Sequence, residues 1–457
     1  MVDDSNPTKV VFNRKCKIWT TVILAIFWIM VVAVIWHVKH VVLEDIEVVP
    51  EKFMKKRIEQ LPQGRIVGYY HGEHEKLNVR WSDLHQMSHI VFVTKIQDIV
   101  ELEDPERKIK RFHRFLLLKS KIERLNSAQW TTNFMISIFD DGGEYSVLTR
   151  AAGSEKEQKI FIDILSTFFK RYGIVGLDLD WNVENSQLAV DNQLILLEAL
   201  RSKFPETRGF SRKLAEIPLL SVSIPSFGPV LEEKMNLTAI YEAVDWVNVA
   251  VDDYSIPMGP RAPLKSGTGM DEKRNIMWTM QFAACEVGAF YKYQLVVSFK
   301  TRVWENVEIN NETYTSPHPS MFYDVPYSNI SNIWRKLKPV WDSETGTSSI
   351  YIPSEKKLMQ LETPQSLAHK YGYILARRFW GFTYRNIEDD DERGEMLMEE
   401  KKLNWYEYQA DWGYYCENRP DMDNFENSLR KWREFDNITD PNVFELEPDE
   451  DELPLVG

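Results

Sequence analysis

Between Arg65 and Phe382 the chain repeats one unit, a short apolar run followed by a longer helical stretch. That alternation calls for a parallel sheet whose strands are joined by crossover helices. The runs fall at Arg65–Tyr70, His89–Thr94, Asn133–Phe139, Ile174–Trp181, Leu219–Ile224, Asp245–Val251, Gln294–Phe299 and Arg377–Phe382. Eight strands is the number that closes a parallel barrel. Between them, Lys156–Arg171 places Ile160, Ile164, Leu165 and Phe168 on one face and stops at Gly173. Asp191–Phe204 and Asp271–Val287 read as helices in the same way. Arg107–Arg124 reads as a helix with a solvated Lys/Arg-rich face. The expectation is an α/β chain built on a TIM (β/α)8 barrel.

The flanks differ in kind. Ile18–Trp36 is uncharged, and a helix of that length spans roughly 28 Å, about the hydrocarbon thickness. No small-residue cleavage site follows it, so it reads as an uncleaved anchor. Lys9, Arg14, Lys15 and Lys17 precede it, and Lys39 is the next basic residue after it. The positive-inside rule then makes 1–17 a cytosolic tail and 18–36 a single transmembrane helix of a type II membrane protein. A charged stem, 37–64, leads to a lumenal or extracellular barrel at 65–387. The sequons at Asn236, Asn311, Asn329 and Asn437 all follow the anchor.

Residues 388–457 form an acidic extension. Its runs at Glu388–Glu400 and Glu445–Glu452 hold nearly all of the net charge of −14. Such runs are read as solvated. The remainder is nearly neutral, which argues against a nucleic acid partner. Aromatic residues gather at Trp405–Cys416, and Asn424–Phe435 reads as a helix. Cys285 lies in an apolar helical stretch and reads as a packed thiol, with Cys416 as an alternative partner; no disulfide framework is implied.

The most telling stretch is Gly173–Glu184, Gly-Ile-Val-Gly-Leu-Asp-Leu-Asp-Trp-Asn-Val-Glu. It resembles the fourth-strand signature of the family 18 glycoside hydrolases, the chitinases, Asp-Gly-x-Asp-x-Asp-x-Glu. Val175 stands at the first Asp, Asp178 and Asp180 keep the inner two, and Asn182 stands at the catalytic acid. In that family the substrate's acetamido group attacks the sugar, so a single protein carboxylic acid protonates the leaving oxygen. An amide has no such proton to give, and general acid help is worth ~10²–10⁴-fold. Glu184 is the one displaced carboxylate in view. It stands one pleat, roughly 6–7 Å, further along the strand.

The resemblance extends from about Arg65 to Ile387. Arg65-Ile-Val-Gly-Tyr-Tyr resembles the first strand, and Asp83-Leu84 with Ser88-His-Ile-Val-Phe the approach to the second. Met135-Ile-Ser-Ile-Phe-Asp-Asp-Gly-Gly resembles the third-strand Ser-x-Gly-Gly, interrupted by Phe139, Asp140 and Asp141. Asp245–Tyr254 resembles the sixth-strand Met-x-Tyr-Asp, with Asp253 at the Asp and Asp252 at the Tyr. Strand alternation turns one of these two aspartates outward. Leu295-Val-Val-Ser-Phe resembles strand seven, and Phe379-Trp380 resembles the eighth-strand Trp.

The resemblance implies that Asp180 orients the acetamido group with Asp178 behind it. It also implies that Trp380 floors the sugar and that Asp253 and Tyr69 contact it. It calls for no cofactor and no metal. It further implies a small α+β insertion after strand seven, about 304–364. With three site positions changed, the chain reads as a catalytically inactive, chitinase-like protein, similar to membrane-anchored nematode members. Its expected ligand is chitin or N-acetylglucosamine oligosaccharide. The alternatives are a weak chitinase using Glu184 and a protein-interaction scaffold that binds no sugar.

Overall fold

The computed structural model describes residues 65–399 apart from 75, 76, 78, 80, 86, 102–109, 127–130, 141–145, 184–186, 204–217, 288–291, 311, 312, 317, 319, 320, 335 and 378. The chain divides into compact units at 1–59 and 60–457, and every described residue lies in the second. The expected anchor at 18–36, the stem, Cys16, Asp141, Glu184, Asn311, Cys416, Asn437 and the extension from 400 onward lie outside the described residues. No helix among the described residues is long and apolar enough to cross a membrane.

Seven parallel strands run in sequence order around a barrel: β1 (Arg65–Tyr70), β2 (His89–Thr94), β3 (Asn133–Asp140), β4 (Gly176–Trp181), β5 (Leu219–Pro225), β6 (Trp246–Ala250) and β7 (Tyr293–Val297). An insertion follows with strands β8 (Lys300–Trp304), β9 (Glu308–Asn310), β10 (Thr313–Thr315), β11 (Tyr323–Pro326), β12 (Val340–Asp342), β13 (Thr347–Ile352) and β14 (Lys357–Leu361). Then β15 (Gly381–Tyr384) pairs with both β7 and β1 and closes the barrel.

Seven of the barrel strands stand within a few residues of their expected positions. The eighth is displaced, because helix Pro364–Ala376 ends late and Phe379 and Trp380 precede the strand. The apolar pair drew the expectation forward, whereas the strand itself carries Thr383 inward.

Local chemistry fixes these elements. Ser154 caps helix Glu155–Tyr172 by accepting from the Glu157 N–H, and Gly173 ends it at φ +63°. The buried face is Phe161, Ile162, Leu165, Phe168 and Phe169; Ile160, expected inside, is 45 % exposed. At Gly176 a Cβ would sit 2.6 Å from the Leu219 carbonyl oxygen, so only glycine lets β4 approach β5 there.

Two apolar layers result. One packs strands against helices, with Phe92, Phe112, Phe115, Phe134 and Phe168 in mutual ring contact. Full burial of each such ring contributes ~1.5–3 kcal/mol. The other, Val67, Tyr69, Val91, Val93, Met135 and Trp246, fills the barrel interior.

The insertion is an antiparallel sheet ordered β11-β8-β14-β13-β12, with hairpin β9–β10 and helix Tyr327–Trp334. It opens at Lys300, slightly before the expected boundary.

Two expectations are corrected. Glu388, Asp389, Asp390 and Asp391 are buried, not solvated. Glu388 accepts from the backbone N–H groups of His71, Gly72 and His74. Asp390 accepts from those of Asp391, Met396 and Leu397. Backbone donors offset the cost of burying these carboxylates. The first part of the acidic run therefore closes the barrel domain. Cys285, on helix Ile276–Val287, is disulfide-bonded and is not a free packed thiol.

Candidate functional site

Strand alternation sends every second residue into the barrel. Asp178 on β4 points there and is fully buried. Its Oδ2 accepts from the Tyr69 hydroxyl at 2.6 Å and from Ser137 Oγ at 2.7 Å. Its Oδ1 accepts from Ser221 Oγ at 2.6 Å and Asn248 Nδ2 at 3.0 Å. Four strands thus each supply a donor to one carboxylate. Thr383 on β15 extends the network to Asn248 Oδ1 (2.7 Å) and Gln294 Oε1 (2.8 Å). Burial, with Asp180 nearby, pushes the Asp178 carboxyl up despite its hydroxyl donors. Burial and the same two aspartates push the Tyr69 hydroxyl well above its usual value.

Tyr69 is therefore not the sugar contact expected of it. Its side chain is 1 % exposed, and its hydroxyl donates to Asp178 and accepts from Asn248. It belongs to the layer beneath the mouth.

Two residues beyond Ser137, Asp178 and Thr383 stand Phe139, Asp180 and Arg385, and Asp252 follows the end of β6, four residues beyond Asn248. Phe139 pairs in register with Asp180 and is 43 % exposed, an aromatic face at the mouth. Arg385, just past β15, reaches across the opening. Its Nη1 donates to Asp180 Oδ2 at 3.2 Å, and its Nη2 and Nε donate to Asp252 Oδ1 at 3.0 Å and Oδ2 at 3.4 Å. Burial would raise the Asp252 carboxyl, but Arg385 and Arg261 hold it below the usual range. The same aspartates raise Arg385 above its own ordinary value against burial.

Asp253 turns the other way, as alternation requires. Arg302 grips it with Nη1–Oδ1 at 3.0 Å and Nη2–Oδ2 at 2.5 Å. Arg302 also donates from Nε to Asp324 on β11 at 3.2 Å, and its guanidinium lies 3.7 Å from the Phe322 ring centroid. Asp253 thus ties the barrel to the insertion, a different task from the sugar contact expected.

Trp380 is misplaced by the sequence reading. It precedes β15, where its N–H donates to the Tyr293 carbonyl at 3.0 Å. That is the N-terminal end of the barrel, opposite Asp180, and the inward residue at the mouth end is Arg385. Asn182, which the sequence reading sets at the acid position, is exposed just after β4, and its backbone N–H donates to the Asp140 carbonyl at 2.9 Å.

Of the expected sugar-contacting set, the structure brings only Asp180 to the mouth. Sequence reasoning missed Phe139 and Arg385. The available signal was their period-two relation to Ser137 and Thr383. Of the sequons, Asn329 is exposed on helix Tyr327–Trp334, and Asn236 is exposed at the start of helix Leu237–Ala243.

Chemically, the mouth offers two carboxylates that share one guanidinium and one apolar ring, with the Asn182 amide two residues past Asp180. It can present hydrogen-bond acceptors to hydroxyls.

Residues 65–390 match the model described as Glycosyl hydrolases family 18. The chain is 23 % identical over 268 residues to "Probable chitinase 2" of Drosophila melanogaster, covering 52 % of each chain. It is 27 % identical over 126 residues to "Chitinase 1" of Aphanocladium album, covering 28 % of this chain and 26 % of that one. The chain thus spans about half or less of the curated relatives it matches. Among solved structures, the Group IV chitinase of Ostrinia furnacalis in complex with allosamidin aligns with a TM-score of 0.58 at 16 % identity, over 74 % of this chain and 99 % of that one. The Class V chitinase of Nicotiana tobaccum aligns with a TM-score of 0.59 at 16 % identity, over 75 % and 99 %. These likenesses show the shared barrel.

Proposed function

The chain belongs to glycosyl hydrolase family 18, and we propose that it binds N-acetylglucosamine oligosaccharides, the chemistry of chitin, without cleaving them. The observation that carries this reading is the Arg385 bridge from Asp180 to Asp252 beside Asn182. Hydrolysis in this family requires a carboxylic acid beside the leaving oxygen and a carboxylate free to orient the acetamido group. Here the acid position is an amide, and Asp180 is already held by a guanidinium. The complex of the Ostrinia relative with allosamidin supports a sugar as ligand of this barrel type. Phe139 offers the apolar face that a pyranose ring packs on, and Asp180 offers an acceptor beside it.

The apolar run 18–36 and the basic residues before it support a barrel tethered by a type II anchor on the lumenal or extracellular side. The oxidised Cys285 fits that compartment. A defence or cuticle role follows by analogy with the family alone.

The test is calorimetric titration of the full-length chain with chitin hexasaccharide. Saturable heat with the sugar recovered intact supports the reading. An absence of heat overturns sugar binding and favours a scaffold for protein partners.

A further inference from the structure

A second feature lies in the outer helical layer, at a groove of about 270 Å³. The π-helical turn Val230–Lys234, helix Leu237–Ala243 and helix Ile276–Val287 form its walls. Asn236 stands on its lip. We propose that Asn236 carries an N-linked glycan whose proximal N-acetylglucosamine seats in this groove. The inference goes beyond the mouth of the barrel and rests on the lumenal placement proposed above.

Asn236 opens the sequon Asn236-Leu237-Thr238, with Thr238 exposed. It is also the N-cap of helix Leu237–Ala243, where its Oδ1 accepts from the Ala239 N–H at 3.0 Å. The cap uses the amide oxygen, and glycosylation uses the amide nitrogen. Both therefore coexist on one side chain. In the transfer, Asn236 Nδ2 bonds to the anomeric carbon of a lipid diphosphate-linked oligosaccharide. The bond from that carbon to the diphosphate oxygen breaks, the lipid diphosphate leaves with the electron pair, and Nδ2 loses one proton.

The groove suits a single sugar ring. It is smaller than the ~300–1,000 Å³ typical of drug-sized ligand sites. The lining is largely polar, and Phe282 adds a small apolar part to it, backed by Trp278 at a ring-centroid distance of 5.0 Å and an interplanar angle of 11°. Glu286, and Glu232 beside its bond from Lys273, supply carboxylates that accept from sugar hydroxyl and acetamide donors, and Met235 also lines the groove. Asn236 and Asn329 are both exposed, and Asn236 also lines the groove.

The test is expression of the full-length chain in secretory cells, followed by glycopeptide mass spectrometry. Peptide N-glycosidase is applied to the native and to the denatured protein. The expected result is an occupied Asn236 whose glycan resists the enzyme in the native fold and is released on denaturation. Thr238→Ala, which leaves Asn236 and its cap in place, should abolish that glycan. Release from Asn236 at the same rate in both states would overturn the seat. An empty Asn236 in a chain glycosylated at another sequon would overturn the site. Absence of glycan at every sequon would instead remove the lumenal placement, and this inference with it.

Discussion

Arg385 and Asp252 meet at the mouth of the barrel through two hydrogen bonds, Nη2–Oδ1 at 3.0 Å and Nε–Oδ2 at 3.4 Å. The Asp252 side chain is 8 % exposed and that of Arg385 24 %. A buried aspartate is tolerated there because a guanidinium faces it. The same guanidinium reaches Asp180, so the pair sets both the stability and the chemistry of the site.

Removing the cation should therefore cost more than removing an exposed ion pair. Arg385→Ala is expected to destabilise by about 2–3 kcal/mol at neutral pH, as buried Asp252 loses its hydrogen-bonded cation and keeps only the charge of Arg261. With Arg385 present, the folded carboxyl lies below its unfolded value. Its contribution is present above the unfolded value and lost as pH falls through the folded one. Without Arg385 the carboxyl shifts up from its present value, with only Arg261 opposing burial, and protonation relieves part of the cost. Denaturation of both proteins at pH 7 and pH 4 should show the gap narrowing in acid.

The two motif aspartates should behave differently. Asp178→Ala orphans four buried donors, each costing about 1–3 kcal/mol, and should prevent stable folding or lower the melting temperature sharply. Asp180→Ala loses one contact at a side chain 21 % exposed and should cost within about 1 kcal/mol. Thermal denaturation of the pair checks this, and a reversed ranking would refute the layer assignment.

Asp389 gives a further pH signature. Burial first, with Glu388 adding, pushes its carboxyl up to about 6 against the pull of Lys300, His74 and Arg261. Its Oδ2 is buried without a hydrogen-bond partner. A folded value above the unfolded one contributes stability that is complete below the unfolded value and lost as pH rises through about 6. Asp389→Asn is expected to gain about 1–3 kcal/mol at pH 8 relative to its effect at pH 4. Urea midpoints across that range measure it.

Ligand contacts separate by position along the strands. Phe139→Ala is expected to weaken chitin hexasaccharide binding roughly tenfold, on the order of 1 kcal/mol. Trp380→Ala, at the opposite end of the barrel, should leave it unchanged. Calorimetry on both folded variants reads the difference.

The barrel was legible because seven of its strands are apolar runs whose burial the chain writes plainly, such as His89–Thr94 and Leu219–Pro225. The eighth was not, since its inward residues are polar, and Phe379-Trp380 offered a stronger apolar signal one strand-length too early. Asn182 at the acid position rests on spacing alone. Arg385 was not legible, because its role depends on two aspartates 133 and 205 residues away in sequence. The acidic run misled for a related reason. Glu388 and Asp390 within it are satisfied by backbone N–H groups, which composition does not reveal.

The most direct test is to incubate the full-length chain with chitin hexasaccharide at neutral pH and weigh the products by mass spectrometry. The account predicts that the hexasaccharide is recovered whole, at any protein concentration at which the sugar binds. Shorter oligosaccharides whose formation is abolished by Asp180→Ala would contradict it, because they would mean that the site cleaves despite Asn182 and the Arg385 bridge.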